Sequence, residues 1–369
     1  MSGVATGRSP YTPGRATATI VGRASELDRA RKEMSFIAAG APSLRPQFFL
    51  GPRGVGKTSV LMALQETAEE MNFVTAWVQA GEADLVVQLA EALSPADGGP
   101  APVNRGARAS SGPGRSRSRT VKDLFVSAAR AATGAGAAGV IVFVDDVHHA
   151  DAEGLAAFAT AVQLIQSEHP DLPLGIFCAG LSCALDVVTE VAPYAERFQY
   201  DEIAYLDDAH ARDVLLQPAA RWNVGWSDDA LDEAVQVCGG FPPFLHLLGE
   251  EVWTAATCAG GATITRDDVQ AGRVAFDAAR HDFFRACWSE ASDDERDMLG
   301  ALAMALAVSG EPWVRVRDLA ANLSTATTAL GVTRQRLIDK GLVESPARGC
   351  LAFTLPGFAE FVHGVEGDL

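Results

Sequence analysis

The chain has 369 residues, of which 48% are hydrophobic and 21% charged, with a formal net charge of −17. That length predicts two or three domains, and the apolar share is that of an ordinary globular protein with material for a core. So large an acidic excess excludes a protein that coats nucleic acid by bulk electrostatics, while leaving room for a local basic patch.

Residues 1–16 are rich in Gly, Pro, Ser, Thr and Arg and read as a flexible tail. From Ile20 the pattern tightens, and Val21-Gly22-Arg23 leads into Glu26-Leu27 and a helix expected to run to about Ala38. The apolar run Phe48-Phe49-Leu50 then meets Gly51-Pro52-Arg53-Gly54-Val55-Gly56-Lys57-Thr58, a complete G-x-x-x-x-G-K-T loop. Ser59 follows it, and Leu61, Leu64, Ala68 and Met71 recur at helix spacing. Strand, loop and helix in that order are the context in which this motif binds phosphate. Its glycines let successive N–H groups turn inward on an anion. Lys57 can reach the outer phosphates, Thr58 can take a Mg²⁺ position, and the helix that starts there adds the positive end of its dipole. A nucleoside triphosphate ligand is therefore expected, with Gly51 to Ser59 as its cradle.

Strand candidates recur at Phe73–Val78, Val140–Val144, Leu174–Ala179 and Arg197–Ile203, with helices between. Strands alternating with helices predict an α/β fold, a parallel sheet covered on both faces. Residues 95 to about 120 interrupt it with Pro, Gly, Ser and five arginines (Arg105, Arg108, Arg115, Arg117, Arg119) and no apolar period. They read as a disordered surface insertion, the alternative being a nucleic-acid arm, and the arginines are a candidate anion-binding strip. The run Val140-Ile141-Val142-Phe143-Val144 ends in Asp145-Asp146, two carboxylates at the sheet edge where the phosphate loop also sits. Asp145 is placed to hold Mg²⁺, and Asp146 to orient or deprotonate the attacking water.

Strand signals stop near residue 204. Helical patterns follow at Asp207–Gln217, Asp228–Cys238 and Phe244–Ala255, the first two opening on acidic residues that suit helix N-termini. A last unit begins near Ser292, with helices expected at Asp293–Ala307, Val316–Leu323 and Ser324–Lys340. Two strand-like runs, Gly341-Leu342-Val343 and Leu351-Ala352-Phe353-Thr354, then flank a turn. Three helices and a hairpin describe a winged helix-turn-helix. Residues 313–348 hold six basic residues (Arg315, Arg317, Arg334, Arg336, Lys340, Arg348) against three acidic ones. That balance is compatible with DNA contacts through Arg334, Arg336, Lys340 and Arg348, and equally with a protein-docking or autoinhibitory module.

The six cysteines form no C-x-x-C pair and have no histidine at zinc-ligand spacing, so buried reduced thiols are expected. His148 and His149 after the acidic pair have no third ligand at suitable spacing and read as exposed or loop-packing residues rather than a metal site. No apolar stretch of about 18 residues occurs and the first residues carry no signal-peptide core. A cytoplasmic location with no membrane span is expected.

These motifs in this order resemble AAA+ ATPases of the origin-recognition type, close to the STAND group of signalling ATPases. They are especially similar to a bacterial family of ATP-binding proteins with a C-terminal winged helix. The resemblance rests on Val21-Gly22-Arg23 with Glu26-Leu27, the Gly51 to Thr58 loop and Asp145-Asp146-Val147-His148. It rests also on Tyr194-Ala195-Glu196-Arg197-Phe198, Gly239-Gly240-Phe241-Pro242-Pro243-Phe244 and Arg336-Leu337-Ile338-Asp339-Lys340-Gly341-Leu342, and covers residues 11–362. It implies a P-loop ATPase domain over residues 17–203, a helical lid over 204–290 and a winged helix over 291–369. By the same resemblance Val21-Gly22-Arg23 lies against adenine, and Pro242 of the Gly240-x-Pro242 element packs on the nucleotide. The alternative for that element is the punctuation of two helices. Arg197 resembles the arginine that reaches a neighbouring subunit's γ-phosphate in a homo-oligomer, the alternative being an exposed surface arginine. Three departures point to a slow switch rather than a fast motor. Asp146 stands where most AAA+ enzymes carry Glu, Gly180-Leu181-Ser182-Cys183 lacks the polar Asn or Thr of sensor 1, and the lid helix lacks a sensor 2 arginine. The expectation is an ATP- and Mg²⁺-dependent switch that turns over to ADP slowly, with a DNA-binding regulator or a non-hydrolysing scaffold as alternatives.

Overall fold

The computed structural model describes residues 9–14, 20–81, 83–94, 113–256, 258, 260–347 and 349–367. The chain divides into two compact units, one comprising residues 18–51 and 57–203, the other residues up to 17, 52–56 and 204 onward.

The first unit begins with α1 (Ala24–Ala38), β1 (Gln47–Leu50), α2 (Lys57–Glu70), β2 (Val74–Gln79), α3 (Leu85–Ala92) and α4 (Pro113–Gly134). It continues with β3 (Val140–Asp145), α5 (Ala152–Glu168), β4 (Leu174–Gly180), α6 (Ala184–Val191) and β5 (Gln199–Glu202). The five strands form one sheet in the order β2-β3-β4-β1-β5, every neighbouring pair parallel. β3 and β4 are buried along their whole length, which is why they read as unbroken apolar runs instead of alternating ones. Phe48, Val142, Val144 and Cys178 join Phe125, Leu155 and Phe158 of α4 and α5 in one core. Phe49, Phe143 and Phe177, one position out of phase, stack in a row on the other face. Asp84 and Asp151 cap α3 and α5 with side-chain bonds to their first-turn N–H groups.

The second unit contains α7 (Asp208–Ala220), β6 (Gly225–Trp226), α8 (Asp228–Cys238), α9 (Pro242–Ala255), β7 (Thr263–Ile264) and α10 (Arg266–Ser289). After these come α11 (Asp293–Ser309), β8 (Val314–Arg315), α12 (Val316–Asn322), α13 (Gly331–Asp339), β9 (Val343–Glu344), β10 (Cys350–Phe353) and α14 (Phe358–Gly367). Capping boxes start α10 (Thr265 with Asp268) and α11 (Ser292 with Glu295). β10 pairs antiparallel with both β8 and β9, giving a small sheet beside α11, α12 and α13.

Three expectations are corrected. Residues 9–14 are not loose, because Tyr11 is buried among α7, α9 and β6. Its hydroxyl donates to Leu215 O at 2.6 Å and accepts from Trp226 Nε1 at 3.1 Å, and its ring meets Trp253 edge to face. The end of the Arg-rich insertion is helical, since α4 starts at Pro113, while Arg105 and Arg108 lie outside the described residues. The helix expected from Ser324 starts instead at Gly331. Ser324 takes a left-handed conformation, φ 51°, and Thr325, Thr327 and Thr328 fall in the turn before α13 rather than on it.

The Tyr11 hydroxyl satisfies two otherwise buried groups. Tyr11→Phe is expected to destabilise the protein by about 1–3 kcal/mol in denaturant unfolding, the cost of leaving buried partners unpaired. A loss under about 0.5 kcal/mol, the level of an ordinary surface change, would contradict that packing.

Candidate functional site

The site follows from sheet order. β4 lies between β1 and β3, so the parallel strands deliver the phosphate loop and the acidic pair to one edge of the sheet. The Gly51 N–H bonds to Gly180 O of β4 at 3.3 Å, tying the loop's first residue to that edge. Lys57, buried at the start of α2, donates Nζ to Gly51 O at 3.0 Å. Thr58 Oγ1 donates to Asp145 Oδ2 at 2.8 Å, and the other Asp145 oxygen accepts the Asp146 N–H at 2.9 Å. Burial raises the Asp145 carboxyl above its ordinary pKa, helped by the charge of Asp146, and the bond from Thr58 and the charge of Lys57 oppose the rise.

Asp146 sits in the left-handed region, φ 50° and ψ 39°, at the turn after β3. Its Oδ2 accepts from Gln79 Nε2 at 2.7 Å. Sequence reasoning missed Gln79. The signal was a polar residue ending an otherwise apolar strand, but its use depends on the β2–β3 register, which sets Gln79 opposite Asp145.

Loop residues 52–56 group with the second unit. Gly54 has φ 82°, and a Cβ there would lie 2.6 Å from the Phe241 ring, so only glycine fits. Pro242 follows Phe241 as the first residue of α9. Arg53 Nη1 donates to Lys340 O at 3.1 Å, and the Arg53 side chain lies against Gly341. Of the remaining loop residues, Pro52 and Val55 are buried, Gly56 and Ser59 half-buried. Gly22 has φ 73°, Val21 is half-buried, and the buried Arg23 donates to Gly22 O at 3.3 Å.

The structure does not bring Arg197 to this edge. It is exposed, stacks on Tyr194 with 5.3 Å to the ring centroid, and precedes β5, whose first residue pairs with the first residue of β1. Arg197 therefore lies at the opposite end of the sheet from its own chain's phosphate loop. Arg117, one of the candidate anion-binding arginines, is instead engaged by acids: it pairs with Asp84, and with Glu153 at 3.4 Å and Asp151 at 3.5 Å. Lys340 is likewise committed, donating to the buried Glu295 at 2.6 Å and to Glu290 O at 2.8 Å. Arg336 is exposed, Arg334 is half-buried, and Arg348 lies outside the described residues. His148 packs into the loop, its Nδ1 accepting the Leu181 N–H at 3.3 Å. Among the described residues no cluster of three His, Cys, Asp or Glu residues suits a metal ion, and no helix is long and apolar enough to cross a membrane.

This sheet order and loop define the fold of a P-loop NTPase. Residues 19–176 match the AAA ATPase domain, and residues 281–362 match a domain of unknown function (DUF8462). Among curated proteins none matches the chain. Among solved structures the chain is similar to the Walker-type ATPase of Pyrococcus abyssi, at 16% identity and a TM-score of 0.60 over 95% of this chain and 98% of that one. It is also similar to the ORC2 protein of Aeropyrum pernix in ADPNP–ADP complexes, at 16% identity and a TM-score of 0.57 over 97% and 96%. At such identities the likeness is one of fold.

The Glu295–Lys340 pair makes a pH prediction. Burial penalises the charged form of Glu295, yet Lys340 and the Ser292 cap hold its carboxyl below the ordinary value. A carboxylate lowered in the folded state contributes stability above its unfolded pKa and loses it as pH falls through the folded one. Thermal unfolding should therefore show stability falling below about pH 4.5, the usual glutamate range, with a shallower fall in Glu295→Gln. Equal slopes in the two proteins would contradict the pairing.

Proposed function

We propose that the protein is an AAA+ ATPase that works as a slow nucleotide-dependent switch, with residues 291–369 as its winged-helix effector. The observation that carries the ATPase reading is the Thr58–Asp145 hydrogen bond of 2.8 Å beside the Lys57–Gly51 contact of 3.0 Å. It sets a hydroxyl, a carboxylate and an ammonium at the mouth of one phosphate loop. The two oxygens suit Mg²⁺, which takes few protein ligands and completes its shell with water and substrate phosphate. When bound, the ion would neutralise charge between the phosphates. Lys57 and the loop N–H groups hold the phosphate chain, Thr58 and Asp145 hold the ion, and Asp146 orients the attacking water. Gln79 steers the Asp146 carboxylate, which is one methylene shorter than the usual glutamate, so slow turnover is expected. Val21, Gly22 and Arg23 supply the base-binding edge by the family resemblance, and Pro242 follows the ring that covers Gly54.

The order of α11, β8, α12, α13, β9 and β10 supports a winged helix. The state of Lys340 favours docking over DNA: its ammonium is held by Glu295 and its carbonyl by Arg53 of the phosphate loop. A phosphate-loop residue in contact with the end of α13 gives nucleotide a direct route to the effector. Arg197 remains available to a neighbouring subunit's site in an assembly, where it would act in trans.

Steady-state hydrolysis and labelled-ATP binding test this reading together. Lys57→Ala should lose binding, whereas Asp146→Asn should keep it and lose turnover by about 100-fold, the range for a removed general base. Turnover unaffected by Asp146→Asn would contradict the assignment, and rapid multiple turnover by isolated protein would contradict a slow switch.

A further inference from the structure

Buried polar side chains need partners, and two in the α/β unit, Gln47 and Asp201, have no part in the phosphate site. They sit on neighbouring strands. Gln47 opens β1, and Asp201 is the third residue of β5, opposite Phe49. Gln47 Nε2 donates to Asp201 Oδ2 at 2.6 Å, and Gln199 Nε2 donates to Asp201 Oδ1 at 3.3 Å. The last partner comes from outside the sheet. Arg29 of α1 donates Nη1 to the same Oδ1 and pairs with the carboxylate, its own side chain half exposed while that of Asp201 is 9% exposed.

One carboxylate therefore ties three elements together: the strand that leads into the phosphate loop, the edge strand beside it, and α1. That helix starts directly after Val21-Gly22-Arg23. The turn is made by Gly22, with φ 73°, and the Leu27 N–H bonds to Arg23 O at 3.0 Å, so turn and helix form one piece. Arg29 lies six residues beyond Arg23, about 9 Å along the axis at the rise of an α-helix. Apolar packing tolerates small sliding of a helix. A buried carboxylate bonded through both oxygens resists it, because sliding would leave buried polar groups unpaired. Movement of α1 along β1 would carry the turn with it, relative to the end of β1 where the phosphate loop begins.

We propose that Arg29 and Asp201 are positioning residues for base recognition. Their pair sets where residues 21–23 stand relative to the end of β1, and so fixes the preference of the site for adenine over a pyrimidine. This inference rests on the reading of that turn as the base-binding edge given above. Both residues act through α1 rather than by touching nucleotide.

The test compares Kd for ATP and for UTP, each with Mg²⁺, in wild type, Arg29→Ala, Arg29→Lys, Asp201→Asn and Lys57→Ala. The two nucleotides share ribose and triphosphate, so their ratio isolates the base. Wild type should favour ATP. Arg29→Ala and Asp201→Asn should weaken ATP by about ten-fold, the worth of a hydrogen bond to a charged group, and leave UTP unchanged. Arg29→Lys, which keeps the charge, should recover part of the ratio. A role in stability alone would lower the melting temperature and leave the ratio where it was. An unchanged ratio, equal weakening of both nucleotides, or no preference for ATP in wild type would each overturn the proposal. Because the Arg29 side chain is half exposed, its substitution keeps the test open if Asp201→Asn fails to fold. Unweakened binding of both nucleotides in Lys57→Ala would instead overturn the ATPase reading itself, so the two failures are distinguishable.

Discussion

Because β1, β4 and β3 are adjacent and parallel, the strand that ends in the phosphate loop and the strand that ends in carboxylates finish at the same edge, one strand apart. The Thr58–Asp145 hydrogen bond of 2.8 Å closes that distance, and the rest of the site is arranged around it. Lys57 is buried yet bonded to the loop it serves, Asp145 is buried and bonded by both oxygens, and Gln79 fixes Asp146 from the next strand. A buried carboxylate beside a buried ammonium is costly unless each has partners. Here the partners are the Gly51 carbonyl for Lys57, and the Thr58 hydroxyl and Asp146 N–H for Asp145.

The C-terminal region is organised by a different constraint. Glu295 serves twice, in the capping box that starts α11 and in the ion pair with Lys340 after α13. The pair therefore joins the first and third helices of the module at their ends, and Gly341 admits the Arg53 side chain at the same place. A basic residue spent this way is unavailable to a phosphate backbone. The local positive balance of the sequence thus overstates the charge this face can offer to DNA.

Much of the α/β unit was legible in the sequence, because buried parallel strands declare themselves as unbroken apolar runs and the phosphate loop carries its own context. Side-chain partnerships were not. Arg117 and Lys340 looked like free cations, yet their partners, Asp84 and Glu295, are 33 and 45 residues away in the chain. Gln79 acquires meaning only from strand register. Tyr11 was hidden in a segment whose composition is that of a tail, since one aromatic residue among Gly, Pro and Ser leaves no periodicity to detect. The start of α13 was misplaced because threonines that are acceptable on a helix here form the turn before it.

The most direct measurement of the central claim is the thermal melting of wild type and Asp145→Asn with ATP, with and without Mg²⁺. Ligand binding to the folded state raises stability by mass action, so wild type should melt several degrees higher with ATP and Mg²⁺ together, about 2.7 kcal/mol at a hundred-fold excess over Kd. The Mg²⁺-dependent part of that shift should be lost in Asp145→Asn. An identical Mg²⁺-dependent shift in both proteins, or none in wild type, would contradict a nucleotide–metal site built on Thr58 and Asp145.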